Sequence, residues 1–133
     1  MIDKKDIIAF KRLLRAFVEK SDDATASILP SMNSKLKGDG KLIKVGTRIN
    51  FNGVVYRAAV DLWDTASNNP ENAPTQWVKL EYRDGYRIIP NVITVSSAFA
   101  KGERGWWGDK MYESLHDGNV YTPEQYAPYW VEI

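Results

Sequence analysis

The chain has 133 residues, enough for one ordinary domain or two very small ones, and it contains no cysteine, which excludes disulfides and cysteine-ligated metal sites. The net charge is +1 at pH 7, so no overall field favours binding to nucleic acid or to an anionic membrane. The charge is unevenly divided, however, because residues 1–60 carry 12 basic and 6 acidic side chains whereas residues 61–133 carry 6 basic and 11 acidic side chains.

The first predicted element is an amphipathic helix over roughly residues 4–20. Asp3 can cap its N-terminus, and Asp6 is placed three residues further on, where it can reach back to the cap. Apolar side chains then recur at the three- and four-residue spacing of one helix face; they are Ile7, Phe10, Leu13, Leu14, Phe17 and Val18. A second cap at residues 21–23 and a short helix before Pro30 complete a helical segment over residues 1–34. Such a helix pair must pack on the rest of the chain or on a partner to bury its apolar stripe.

The N-terminus lacks the apolar core and the small-residue cleavage site of a signal peptide. No run of residues approaches the apolar length that a membrane-spanning helix needs. We therefore expect synthesis in the cytoplasm and no membrane span. The basic residues of the helix are diluted by acidic ones and its phenylalanines share the apolar stripe, so nucleic acid is not an expected partner.

After a polar linker at residues 33–41, the apolar pattern changes to the period of two that is typical of a strand. Asn52-Gly53 lies between two alternating runs, and this dipeptide favours a type I′ turn because both central residues need positive φ. A hairpin is therefore predicted, with strands at about residues 47–51 and 54–60. A proline-containing loop follows, and QWVKLEY, residues 76–82, predicts a short closing strand.

The same order of landmarks occurs twice. In each copy a glycine precedes a tyrosine by ten residues, a turn pair lies between them, and a proline-containing loop leads to Ala-Pro and then a tryptophan. The landmarks are Gly46, Tyr56 and Trp77 in the first copy and Gly102, Tyr112 and Trp130 in the second. This repetition indicates a tandem duplication. We call residues 38–82 the first unit and residues 83–133 the second unit; each is predicted to hold three short antiparallel strands, which makes the fold α+β and mainly β.

Units of this size lack the residues for a deep core. One ring from the hairpin and one from the closing strand can stack across a minimal sheet and take the place of that core. Four residues are therefore predicted to be structural aromatics: Tyr56, Trp77, Tyr112 and Trp130.

The repeated outline resembles the chitin-binding type-three module, the small carbohydrate-binding domains of families five and twelve. The matching stretches are VGTRINFNGVVYRAA with NAPTQWVKL, and KGERGWWGDKMYESL with VYTPEQYAPYWVEI. The whole layout is similar to small phage and prophage tail-associated proteins, in which a short helical segment precedes one or two such modules. This resemblance implies a virion protein that is made in the host cytoplasm and then carried in the tail.

Members of the module family that bind sugar use exposed aromatic rings as stacking platforms, one of which lies three residues before the first glycine of the module. That position is Ile43 in the first unit, which has no ring, and Phe99 in the second. Adjacent Trp106 and Trp107 should point to opposite faces of a strand. The candidate glycan-binding residues are Phe99, Trp106, Trp107, Tyr121 and, in the first unit, Trp63; local packing is the competing interpretation for each of them.

No catalytic, metal or cofactor site is predicted. His116 is the single histidine, and no nucleophile is placed to form a triad with it. Asp117 beside it is a turn residue in the sequence HDGN. The acidic residues do not form a calcium-binding loop, and the glycine-rich stretches lack the strand-to-helix context of a phosphate-binding loop.

Three hypotheses follow, and none of them is enzymatic. The first is a tail or baseplate component of a phage or prophage, in contact with other virion proteins and with host-surface polysaccharide. The second is a free-standing module that binds chitin or a peptidoglycan-like glycan and is accessory to a hydrolase. The third is a homo-oligomer held by the helix stripe and by the opposite charges of the two halves.

Overall fold

The N-terminal segment folds as the predicted pair of helices. In the computed structural model, which describes residues 3–133, α1 spans Lys4–Lys20 and α2 spans Asp23–Ile28. The capping box at the start of α1 is present, since the Asp3 carboxylate accepts the N–H of Asp6 at 3.0 Å and the Asp6 carboxylate accepts the N–H of Asp3 at 3.4 Å. Residues 1 and 2 of the predicted helical segment lie outside the described residues.

The junction between α1 and α2 is held on the first unit by a forked ionic contact. The carboxylate of Asp23 accepts Nε–H of Arg48 at 2.9 Å and Nε–H of Arg57 at 3.0 Å. The remaining nitrogens of Arg48 donate to the backbone carbonyls of Val18, at 3.2 Å, and Ser21, at 2.7 Å. These carbonyls belong to the C-terminal end of α1, where a cation is favoured by the helix dipole.

The first unit is a small antiparallel sheet beside a two-stranded ribbon. Its strands are β1 (Leu42–Ile43), β2 (Arg48–Phe51), β3 (Val54–Ala58), β4 (Leu62–Trp63) and β5 (Trp77–Leu80). The sheet has the order β2-β3-β5, and β1 pairs with β4. The predicted hairpin is present, because Asn52 and Gly53 both have positive φ, at 53° and 83°.

The second unit repeats this arrangement and adds strands to one edge. Its own three strands are β8 (Arg104–Trp107), β9 (Lys110–Ser114) and β10 (Trp130–Glu132). Two short strands, β6 (Tyr82–Arg83) and β7 (Tyr86–Ile88), extend the sheet to five in the order β10-β9-β8-β7-β6. Sequence periodicity did not predict this extension, since β7 pairs with β8 in parallel across a long connection. The predicted boundary between the units falls inside β6.

The two units share a set of hydrogen bonds at equivalent positions, and we call the backbone arrangement that these bonds hold together the frame. The N–H of Gly46 donates to the carbonyl of Ala58 at 2.8 Å, and the N–H of Gly102 donates to that of Ser114 at 2.8 Å. In each unit an aspartate carboxylate also accepts a hydrogen bond from a backbone N–H that lies sixteen residues earlier in the chain. Asp61 accepts the N–H of Val45 at 2.7 Å, and Asp117 accepts the N–H of Lys101 at 2.8 Å.

The closing tryptophans are also equivalent. Nε1–H of Trp77 donates to the carbonyl of Asn68 at 2.7 Å, and Nε1–H of Trp130 donates to that of Tyr121 at 2.7 Å, nine residues back in both units. Both rings are buried, and each packs in the core of its own unit with the half-buried tyrosine predicted beside it, Tyr56 or Tyr112. The predicted structural aromatics therefore occupy equivalent places.

The cores of the two units differ at one matched pair of positions. In the first unit a buried Ile49 packs with a half-buried Ile43. The corresponding residues of the second unit are Gly105 and Phe99. A Cβ on Gly105 would lie 3.0 Å from the Phe99 ring, 2.8 Å from Ile89 and 2.9 Å from a backbone carbonyl oxygen. The missing side chain thus makes room for the larger ring.

We expect Gly105→Ala to lower the free energy of unfolding by about 1–3 kcal/mol, because the added methyl group overpacks this core. Urea denaturation checks the value. The double variant Phe99→Leu/Gly105→Ala should lose less than the sum of the two single variants, since a smaller neighbour relieves part of the clash. Strict additivity would show that the two positions do not share one space.

A separate apolar cluster on the other face of the first sheet contains a titratable group. Val55, Val78 and Leu80 are buried there, and Tyr82 packs against them. Burial raises the pKa of the Tyr82 phenol above its ordinary value of 10.0, and the nearby Asp23 carboxylate acts in the same direction.

Because the folded protein holds the Tyr82 proton more tightly than the unfolded chain does, this contribution to stability is present below about pH 10 and is lost as the pH rises further. We expect the unfolding free energy of Tyr82→Phe to fall less than that of the wild type between pH 9 and pH 11.5, as measured by urea denaturation. Parallel curves for the two proteins would contradict this.

Candidate binding surface of the second unit

The structure separates the candidate glycan-binding residues into buried and exposed groups. Phe99 is completely buried beside Trp130, with ring centroids 5.2 Å apart, and the guanidinium of Arg87 lies 3.8 Å from its ring centroid. Its assignment as a stacking platform is therefore wrong. The physical reason is that Gly105 has no side chain, which leaves space in the core for the Phe99 ring.

The adjacent tryptophans do point to opposite faces of β8. Trp107 is half-buried and packs against the core of the second unit. Trp106 lies on the outer face, where its Nε1–H donates to the carbonyl of Arg83 at 2.8 Å and the Arg83 guanidinium lies 5.0 Å from its ring centroid. One side of the Trp106 ring is thus occupied within the chain, and local packing accounts for both residues.

Two candidates keep an exposed ring, one in each unit. Trp63, on β4, is 59% exposed, and Tyr121, in the loop before β10, is 45% exposed. Among the residues that the structure describes, Tyr121 has other aromatic rings beside it and Trp63 has none. An aromatic surface therefore forms in the second unit and not around Trp63.

Tyr121 belongs to a group of neighbouring aromatic rings that we call the tyrosine surface, formed by Tyr121, Tyr126, Tyr129 and His116. The Tyr126 and Tyr129 rings meet edge to face with centroids 4.6 Å apart, and Tyr121 lies 5.6 Å and 5.9 Å from them. His116 stacks on Tyr129 at 4.2 Å with the ring planes 4° apart. These rings lie close together although up to thirteen residues separate them in the chain.

The loop that carries these rings is fixed by its own polar contacts. The Thr122 hydroxyl accepts the N–H of Gln125 at 3.1 Å, and the Gln125 side-chain oxygen accepts the N–H of Thr122 at 2.9 Å. The amide of Asn119 is fully buried and donates to the Ser114 hydroxyl at 3.1 Å. Nδ1–H of His116 donates to the carbonyl of Asp117 at 2.6 Å, which orients the imidazole ring. The backbone of the loop and the imidazole ring are therefore held in place by contacts within the second unit.

The first unit shows that the frame itself does not require these rings. Matching hydrogen bonds align Tyr121, Tyr126 and Tyr129 with Asn68, Ala73 and Gln76 of the first unit. The N–H of residue 73 donates to the carbonyl of Asn69 at 2.8 Å, just as that of Tyr126 donates to the carbonyl of Thr122 at 3.0 Å. Three equivalent positions thus carry polar or small side chains in one unit and tyrosines in the other.

Sequence reasoning missed Tyr126, Tyr129 and the ring of His116 as parts of a surface. A position-by-position alignment of the repeats on their tryptophans, with ENAPTQW against EQYAPYW, would have exposed the two tyrosine gains. The stacking of His116 has no such signal, because it depends on where the loop places Tyr129.

The rings of this surface provide groups that can contact a ligand. The surface offers apolar ring faces together with three phenol groups that donate and accept hydrogen bonds, which suits a ligand with both apolar faces and hydroxyls. Among residues 3–133 no three His, Asp or Glu side chains cluster closely enough to hold a metal ion. The helices within that range are too short or too polar to cross a membrane.

Comparison with protein-family models and with curated proteins found no match to this chain.

Proposed function

We propose that this protein is a non-enzymatic component of a phage or prophage virion, located in the tail or baseplate, and that its second unit contacts host-surface glycan through the tyrosine surface. The virion location rests on the resemblance in layout described above. The observation that supports the glycan contact is the presence of three tyrosines at positions that the first unit fills without aromatic residues. Tyr129 is half-buried and packs against the core of the second unit, but Tyr121 and Tyr126 are exposed, so a role in the core does not explain those two.

The exposure of the rings supports a role in binding. Tyr121 and Tyr126 are 45% and 43% exposed, although burying an aromatic ring is favourable for a small domain. Pyranose rings have apolar faces of C–H groups and a rim of hydroxyls, so they can stack on a tyrosine ring while the phenol groups bond to the rim. The rings lie on an open surface, which can follow a polymer chain.

The second unit should bind an insoluble polysaccharide through these rings. We expect the protein to be retained on chitin or on purified peptidoglycan, and Tyr121→Ala or Tyr126→Ala to weaken retention about tenfold, which corresponds to about 1.4 kcal/mol per ring. Depletion binding isotherms measure this. Tyr86→Ala is the matched control, because Tyr86 is also an exposed tyrosine, at 41%, but lies on the other face of the sheet.

Equal loss in the Tyr86 control would point to non-specific adsorption, and retention that survives both tyrosine variants would remove the tyrosine surface from the proposal. A loss confined to Trp63→Ala would move the glycan site to the first unit. Thermal denaturation of each variant shows whether a loss comes from unfolding.

The virion assignment has its own test. We expect the protein in purified particles induced from the producing cells, detected by mass spectrometry at a fixed ratio to other tail proteins. Glycan retention together with absence from particles would favour the alternative, a free-standing glycan-binding module accessory to a hydrolase.

A further inference from the structure

One face of α1 is exposed and is not covered by any other element among residues 3–133. Of the described residues in this helix, only Val18 is buried, and Leu14 is half-buried. The large apolar side chains of α1 with the highest exposed fractions are Leu13, Phe10 and Phe17, at 71%, 63% and 62%. A stripe of exposed rings and a leucine is unfavourable in water, so this face points to a partner.

The composition of this face limits what the partner can be. Successive helix residues are about 100° apart, so Asp6, Leu13 and Lys20 form a line along the helix. Ala9 and Ala16 lie on one side of that line, and Phe10 and Phe17 lie on the other. We call these seven residues the open face. Its two charges are of opposite sign and stand seven residues on either side of Leu13.

The open face is complementary to itself when two copies run antiparallel. A two-fold axis at Leu13 would place the leucines of both copies in contact and bring Asp6 beside Lys20 of the second copy, twice over. The same axis places Phe10 beside Phe17 of the second copy, and Ala9 beside Ala16 of the second copy. Large side chains thus meet on one edge, while small ones allow close approach of the helices on the other.

We propose that the occupant of the open face is a second copy of this chain, docked as an antiparallel α1–α1 dimer. A parallel pair would set Asp6 beside Asp6 and Lys20 beside Lys20, which is unfavourable. A membrane surface fits less well, since Asp6 lies within the apolar stripe and would have to enter the lipid. This dimer is independent of glycan binding, because the tyrosine surface lies on the second unit.

The interface is small, since a 17-residue helix is about 25 Å long. Small interfaces are weak, so we expect a monomer–dimer equilibrium at roughly micromolar concentrations. Sedimentation velocity of the full chain over a concentration series measures it, and the dimer should weaken with added salt because the end charges are exposed.

Leu13→Glu should raise the dimer dissociation constant about a hundredfold, because it forces two carboxylates together in an apolar contact. Ile8→Glu is the matched control, since Ile8 is 52% exposed on the same helix but lies on a different side, and it should leave the equilibrium unchanged. Both positions are exposed, so both variants should keep the helix content of the wild type by circular dichroism.

The absence of native cysteine allows the orientation to be tested by cross-linking. Leu13→Cys should form an intermolecular disulfide on mild oxidation, because the two copies of this position face each other. Lys20→Cys should not, because position 20 of one copy would be about 21 Å from position 20 of the other along an antiparallel pair. Efficient cross-linking of Lys20→Cys would overturn the antiparallel arrangement. If the protein stays monomeric throughout the concentration series, the dimer is overturned. If the monomeric protein in addition binds vesicles of phosphatidylglycerol and phosphatidylcholine, the occupant of the open face is a membrane surface instead.

Discussion

The hydrogen bond from the closing tryptophan to a carbonyl nine residues earlier organises both halves of this protein. Trp77 and Trp130 each donate at 2.7 Å, and each ring is buried in the core of its unit. This bond satisfies the one polar atom of a large buried ring and simultaneously closes the preceding loop. A unit with few core residues thereby gains an apolar centre and a fixed loop from a single side chain.

Because the loop is fixed at both ends, its middle is free to differ between the units. The first unit has Asn68, Ala73 and Gln76 at the positions where the second has the three tyrosines of its surface. The outer sheet faces differ as well. In the first unit Arg48 and Arg57 both bind Asp23 of the helical segment, whereas in the second the matching residues, Arg104 and Glu113, pair with each other at 3.1 Å. One frame therefore supports two different surfaces.

Local signals carried the parts of the fold that could be predicted from the sequence. The bounds of α1 agree with the prediction because the capping box at Asp3 and the apolar spacing are both local. The Asn52-Gly53 hairpin is local in the same sense. The paired tyrosine and tryptophan positions are not local, and they were predicted from the repeated order of landmarks along the chain. The α+β class follows from these elements and is confirmed.

What the sequence could not show depends on contacts between distant residues. Phe99 looked like an exposed platform, and its burial follows only once Gly105 is known to leave space against β7. The parallel pairing of β7 with β8 has no periodic signature. The stacking of His116 on Tyr129 likewise requires the loop to fold first. The sequence therefore predicted where the candidate site lies, through Tyr121, but it did not predict the other residues that form it.

The carboxylates of Asp61 and Asp117 extend this reasoning to how such a protein can change over time. Each ties the end of its hairpin to the residue just before the unit's first glycine, so the loop that follows begins from a fixed point in both copies. Exposed positions of that loop, such as Tyr121 and Tyr126, can then differ while buried ones, such as Leu62 and Asn119, remain part of the packed interior. A doubled unit of this kind gives a lineage two copies of one fold whose exposed loops can diverge separately while each copy keeps its own core.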